Sequence, residues 1–257
     1  MKKISILILA LLITCVAITG MVPPVKAETE TAGYASVDIM SNYGWRGQKL
    51  SESLVIQPSV GITYGGFDAN LWSNFDSDWK VDDTDDGQGK VTETDLTLSY
   101  SFSKDKFSFS GGYIYYALEG AHDTQELFVS VSYDVLLNPS LVLYYDYDEG
   151  QGAFIIASID HSFDLGKNIP LDVGASASYN INNKVMGVDE DGDDFSNFYN
   201  GELYASVTFP VTKAISISPK IAYSFPLSND AKEAISSISY DGDKDIFYGG
   251  VNLTLSF

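Results

Sequence analysis

Three observations predict an all-β chain closed into a transmembrane antiparallel up-and-down β-barrel of about 12 strands. Apolar and polar residues alternate with a period of two through one segment after another, the mark of strands with one greasy face and one polar face. Short turns alternate with longer acidic connections rich in Gly, Asp and Asn, as in barrels with tight turns at one end and extended loops at the other. Aromatic residues collect at both ends of the apolar faces, where a bilayer selects amphipathic rings at its two interfaces.

Lys2 and Lys3, the apolar run Ile4 to Ile18, and Pro23-Pro24-Val25-Lys26-Ala27 read as a secretory signal peptide cut after Ala27. That assigns 1–27 to the signal and 28–257 to one barrel domain. Cys15, the only cysteine, lies inside the signal, so the remainder has no disulfide or thiol chemistry. Losing Lys2, Lys3 and Lys26 takes the net charge from -20 to -23. Such acidity, with no basic cluster, argues against a nucleic-acid partner. After residue 27 no apolar run is long enough for a membrane helix, so entry into a bilayer would have to be as a barrel.

The first strand sets Ala35, Val37 and Ile39 against Ser36, Asp38 and Met40. Continuing its parity places Tyr43 and Trp45 on the apolar face and Asn42, Gly44 and Arg46 on the polar one. The second runs from Ser53 to Ile62, the Gly65-Gly66 turn follows, and the third opposes Phe67, Ala69 and Leu71 to Asp68, Asn70, Trp72 and Asn74. The acidic stretch Asp76–Lys90 is read as non-strand. Further apolar stripes are Leu96–Phe102, Phe107–Tyr115, Leu127–Tyr133, Leu141–Tyr147, Ala153–Ile159, Leu171–Tyr179, Leu203–Phe209 and Ile215–Tyr223. Asn182–Asn197 and Pro226–Lys244 are read as long loops. The closing strand carries Phe247, Val251, Leu253, Leu255 and Phe257 on one parity and Tyr248, Asn252, Thr254 and Ser256 on the other.

Phe102, Phe107, Tyr133, Phe163, Phe209 and Phe257 form the predicted aromatic ring beside the short turns. Tyr43, Trp45, Tyr115, Tyr147, Tyr179, Tyr199, Tyr223 and Phe247 form the ring beside the long loops. The opposite parity is mostly Ser, Gly, Thr and Asn. That suits a wet interior better than the charged exterior of a soluble barrel.

The final strand resembles the last strand of Gram-negative outer-membrane barrels, in which a terminal Phe serves as an assembly signal. That resemblance implies outer-membrane lipid, lipopolysaccharide and the barrel-assembly machinery as partners, with Phe257 as the signal. Ser41-Asn42-Tyr43-Gly44-Trp45-Arg46-Gly47-Gln48, then Gly65-Gly66-Phe67 and Leu71-Trp72-Ser73-Asn74, resemble the TorF-type porin family of the Gram-negative outer membrane. Members are presumed channels, so the resemblance implies a fold and small solutes in general but no particular substrate.

The polar parity is the candidate functional surface: Asp38, Asp68, Glu93, Asp95, Glu126, Asp146, Asp160, Asp172 and Glu202, against Arg46 and Lys220. An acidic conduit concentrates cations and repels anions, which predicts a passive, cation-leaning channel for ions or small hydrophilic solutes. Each carboxylate could equally fill a narrow lumen as an ion-pair partner, and Arg46 is predicted to pair with lumen acids. Asp82, Thr84, Asp86, Gly87 and Glu93 have near-calcium-loop spacing, but a solvated acidic loop is the simpler reading, as it is for 189–194. Neither a metal nor another cofactor is expected. His122 and His161 lack a nucleophile motif beside them, so no enzyme is predicted. The alternatives to a channel are a closed barrel with a surface adhesive or structural role and, behind it, an outer-membrane hydrolase.

Overall fold

The computed structural model describes residues 31–80 and 87–257. The signal segment with its Ala27 cleavage point, and the Asp82–Asp86 part of the calcium-like spacing, lie outside the described residues. The strands are β1 (Thr31–Met40), β2 (Tyr43–Trp45), β3 (Gln48–Ser51), β4 (Val55–Tyr64), β5 (Phe67–Trp79), β6 (Gln88–Lys104), β7 (Phe107–Leu118) and β8 (Thr124–Tyr133). They continue as β9 (Ser140–Asp146), β10 (Gly152–Asp164), β11 (Pro170–Ile181), β12 (Ser196–Val207), β13 (Phe209–Pro210), β14 (Ile215–Pro226) and β15 (Ile246–Ser256). Twelve of them close an antiparallel up-and-down barrel: β1 pairs with both β4 and β15, and β12 pairs directly with β14, a pairing that the short β13 prolongs. The hairpin β2–β3 forms a separate sheet.

At the closing seam Phe257 and Gly33 exchange backbone hydrogen bonds of 2.6 and 2.9 Å. The Phe257 ring lies on Gly33, where a β-carbon would come within 2.5 Å of it. The outward parity is apolar and exposed, as with Val60, Ile62, Leu71, Leu98 and Leu253, which is the lipid-facing band of a membrane barrel.

Four departures from the sequence reading have physical causes. The wall ends at Met40, and the chain then turns into the barrel, so Tyr43 and Trp45 are internal and do not belong to the outer aromatic ring. A bulge between Ala177 and Tyr179 on β11 and their partners Gly201 and Phe198 on β12 inverts the parity. Tyr199 is therefore fully buried and Phe198 takes its outer place, edge-on to Tyr179 with centroids 5.3 Å apart. The supposed non-strand stretch Asp76–Lys90 contributes Asp76–Trp79 to β5 and Gln88–Lys90 to β6. That ribbon continues past the apolar band, where alternation is no longer demanded. Finally, Pro226–Lys244 contains the helix α1 (Asn229–Ile238), capped by Ser228 accepting from the Ala231 N–H at 3.1 Å.

Candidate functional site in the barrel lumen

Inward side chains divide the lumen into two levels. Near the short turns Ser99, Ser110, Ser130, Ser158, Ser176 and Ser218 face inward and keep solvent access. Larger inward rings lie flat there: Tyr34 covers Gly61, Phe128 covers Gly112 and Tyr204 covers Gly174, each at a distance a β-carbon would forbid. Pressing rings against glycine keeps them close to the barrel wall.

Near the long loops the lumen is filled. The β2–β3 hairpin turns at Arg46 and Gly47, with φ of 48° and 86°, the left-handed pair of a tight hairpin turn. Gly47 also abuts the wall, since a β-carbon would sit 2.8 Å from that of Asn200. In the ring of strands β9 lies opposite β1, and the Arg46 guanidinium reaches that far side. Its two nitrogens donate to both Glu126 oxygens at 2.7 Å. It also lies 4.3 Å from the Tyr144 ring centre and 4.5 Å from that of Trp45. Burial disfavours its charge, but the Glu126 carboxylate outweighs this and raises the guanidinium pKa. Tyr116 donates to the same carboxylate at 2.8 Å. The hairpin is thus a crossbar bolted to the opposite wall.

Above it Phe154, Met186, Phe195 and Tyr199 pack against Ala231, Ala234 and Ile235 of α1 to form a dry cluster. Gln48 ties the crossbar to this cluster through the Val185 carbonyl and the Tyr199 hydroxyl, both at 3.1 Å. The ammonium of Lys49 clamps Asp241 and Asp243 beyond the helix. For Lys49, burial works against the charge, yet the hydrogen bonds to Asp241 and Asp243 lift its pKa overall. Burial would raise the Asp241 pKa, but the Lys49 bond and the Asp243 N–H lower it on balance.

The sequence-predicted residues separate accordingly. Arg46 pairs with Glu126, and Lys220 pairs with Asp38 at 2.9 Å. Glu93 accepts from the Tyr43 hydroxyl at 3.0 Å and Glu202 from that of Tyr248 at 3.0 Å. Asp68 lies near the short turns and accepts from Tyr34 at 3.4 Å. Asp160 accepts from Asn138 at 3.3 Å, and Asp172 is partly exposed at the same end. Asp146 is fully buried at the long-loop end and accepts from Thr124 at 2.7 Å. Asp95 lies within hydrogen-bonding reach of Glu93, and its buried Oδ1 has no further partner among the described residues.

Asp95 opens into a cavity of about 300 Å³ beneath the crossbar. Asn42, Tyr43, Gly44 and Trp45 line it together with Met40, Gln57, Trp72, Lys220 and Tyr248. Sequence reasoning named Asp95 and Lys220 of this group and passed over the rest, although Trp72 and Tyr248, large aromatics on the polar parity, were its signal. His122 is exposed in the turn after β7, and its neighbour Asp123 is engaged by the Tyr115 hydroxyl and the Leu118 N–H. Those bonds, Tyr115 first, hold Asp123 below the usual carboxylate range. His161 faces outward and meets Phe163 edge-on at 4.6 Å. In the 189–194 stretch, Asp189 accepts the N–H groups of Asp191 and Asp193 at 3.0 Å, closing a local turn.

No protein-family model and no curated protein matches this chain. Solved structures do resemble it in shape. An outer membrane channel from Pseudomonas putida F1 aligns over 92% of this chain and 100% of its own, with a TM-score of 0.51 and 12% identity. The KdgM porin aligns over 89% and 99% respectively, with a TM-score of 0.50 and 10% identity. A second KdgM structure, in complex with disordered oligogalacturonate, gives the same values. The chain therefore has the fold of outer-membrane porin-like barrels.

Proposed function

We propose that this chain is an outer-membrane channel of the porin type, reached after removal of its signal peptide, that passes small hydrophilic solutes and favours cations. The observation that carries this reading is the charge balance of the lumen. Among the described residues the bases inside the barrel are consumed, Arg46 by Glu126, Lys220 by Asp38, and Lys49 of the crossbar by Asp241 and Asp243. Asp68, Glu93, Asp95, Asp146, Asp160, Asp172 and Glu202 have no basic partner among the described residues. Carboxylates in a narrow, weakly screened conduit attract cations more strongly than the same charges in bulk water. The serine-lined half supplies a wet approach, and the crossbar sets the resting constriction. The TorF-type resemblance of Ser41–Gln48 falls on this crossbar, so the segment that carries the likeness is also the segment that narrows the lumen.

Conductance across a planar bilayer under a salt gradient tests this directly. A reversal potential on the cation side is expected, and Asp95→Asn with Glu202→Gln should reduce it. Anion selectivity would overturn the reading. The dry cluster under α1 favours a second one, a closed barrel with a surface or structural role; a stably inserted protein that never conducts, even with the crossbar removed, would establish it.

A further inference from the structure

We infer that the cavity beneath the crossbar is a binding site for a small organic ammonium cation, held by aromatic faces and the Asp95 carboxylate. The site deepens the cation-channel reading and rests on it for its use, but occupancy can be measured without conduction.

Four features converge on this chemistry. The first is space: about 300 Å³ lies at the lower end of volumes that hold small-molecule ligands. The second is an acidic group in the lining, because Asp95 borders the cavity and the Glu93 carboxyl lies within hydrogen-bonding reach of it, which concentrates negative charge on this side of the void. The third is the wall. Tyr43 and Trp72 meet at 5.8 Å between centroids with planes tilted by 49°, and Tyr248 lines the same cavity. An aromatic face bordering a void attracts an alkylated ammonium through the negative side of its quadrupole. Trp45 contributes less, since one of its faces is taken by Arg46.

The fourth feature is the tuning of those rings. The hydroxyls of Tyr43 and Tyr248 donate to Glu93 and Glu202. A phenol hydrogen-bonded to a carboxylate gains electron density in its ring, which strengthens attraction for a cation. Lys220 is the base in the lining, and Asp38 holds its ammonium at 2.9 Å. The charges facing the void are therefore that internal pair and the Asp95–Glu93 carboxyl pair, backed by Glu202. A bare inorganic cation would satisfy the carboxylate but make no use of three aromatic walls. An anion would meet Asp95 directly.

Choline chloride titrated into detergent-solubilised full-length protein is the test, followed by calorimetry and by tryptophan fluorescence, to which Trp72 reports from the wall. Saturable binding is expected, unaffected by an equal addition of sodium chloride. Asp95→Asn should weaken it by about tenfold, the loss of one desolvated charge contact. Trp72→Leu should weaken it too, while Glu233→Gln on the exposed face of α1 should leave it unchanged. Each variant is scored only after its unboiled form migrates as folded barrel. Dimethylbutanol, the neutral carbon isostere of choline, should bind at least about tenfold more weakly. Absence of saturable binding, equal binding of the isostere, or full affinity in Asp95→Asn would each overturn the site. Binding without conductance would leave the site standing and remove the channel; conductance without binding would do the reverse.

Discussion

In the long-loop half of the barrel the inward side chains are Tyr116, Tyr144, Phe154 and Tyr199, interlocked with Arg46, Met186 and Ile235. In the short-turn half they are serines, with Tyr34, Phe128 and Tyr204 laid flat over glycines. One cylinder of backbone hydrogen bonds carries both. The wall needs only the alternation of greasy and small polar residues, because closure satisfies every strand edge. The plug needs particular residues at particular places, because burying Arg46 is tolerable only with both Glu126 oxygens in reach. Substitutions should therefore act locally and severely in one half and hardly at all in the other.

The largest separation should come from Glu126→Ala, which strands the guanidinium of Arg46 in a dry site. Breaking a buried pair destabilises by about 3–5 kcal/mol, here directed at the plug alone. Backbone amides of residues 43–51 should lose hydrogen-exchange protection while β6, β7 and β10 keep theirs. Loss of protection throughout the barrel would show that plug and wall are one cooperative unit.

Ile235→Ala should act next. Its side chain is fully buried under α1, and truncations of this kind cost about 2–5 kcal/mol. Limited proteolysis should then cleave within 227–245 at rates the parent chain does not show, with the unboiled gel mobility unchanged.

A pH series separates the halves by a milder route. The folded Asp241 pKa is depressed, so its contribution is complete above the unfolded aspartate value and is lost as pH falls through the lower folded value. The Lys49 pKa is raised, so its contribution is complete below the unfolded lysine value and is lost as pH rises through the higher folded one. Protease resistance of the α1 segment should be flat through neutral pH and decline at both extremes, and Lys49→Met should abolish that profile. Smallest of all, Ser110→Ala and Ser130→Ala should shift unfolding by no more than about 0.5 kcal/mol, as for partly solvated positions without a special role.

The wall was legible in the sequence because its physics is local and periodic. The alternation through Leu171–Asn180 specifies a strand whatever lies beside it, and Gly65-Gly66 specifies a turn. The plug was legible only in pieces. Pairing of Arg46 with a lumen acid followed from its place on the polar parity and its bidentate fork, but parity gave the wrong route to it. Parity carries no information past Met40, where the chain leaves the sheet. The bulge that buries Tyr199 and the far-wall landing of Arg46 on Glu126 are set by tertiary contacts. Helix α1 had a readable signal: Ser228 as cap, then Ala231, Ala234, Ile235 and Ile238 at helical spacing. The acidic, serine-rich setting of Pro226–Lys244 hid it.

A single-channel recording that compares the parent chain with a variant whose residues 43–51 are replaced by a short Gly-Ser link addresses the division between wall and plug most directly. The expected result is a parent chain with small or rare openings and a variant with larger, sustained ones, both reversing on the cation side of a salt gradient. Equal conductance in the two proteins, or reversal on the anion side once the crossbar is gone, would contradict it.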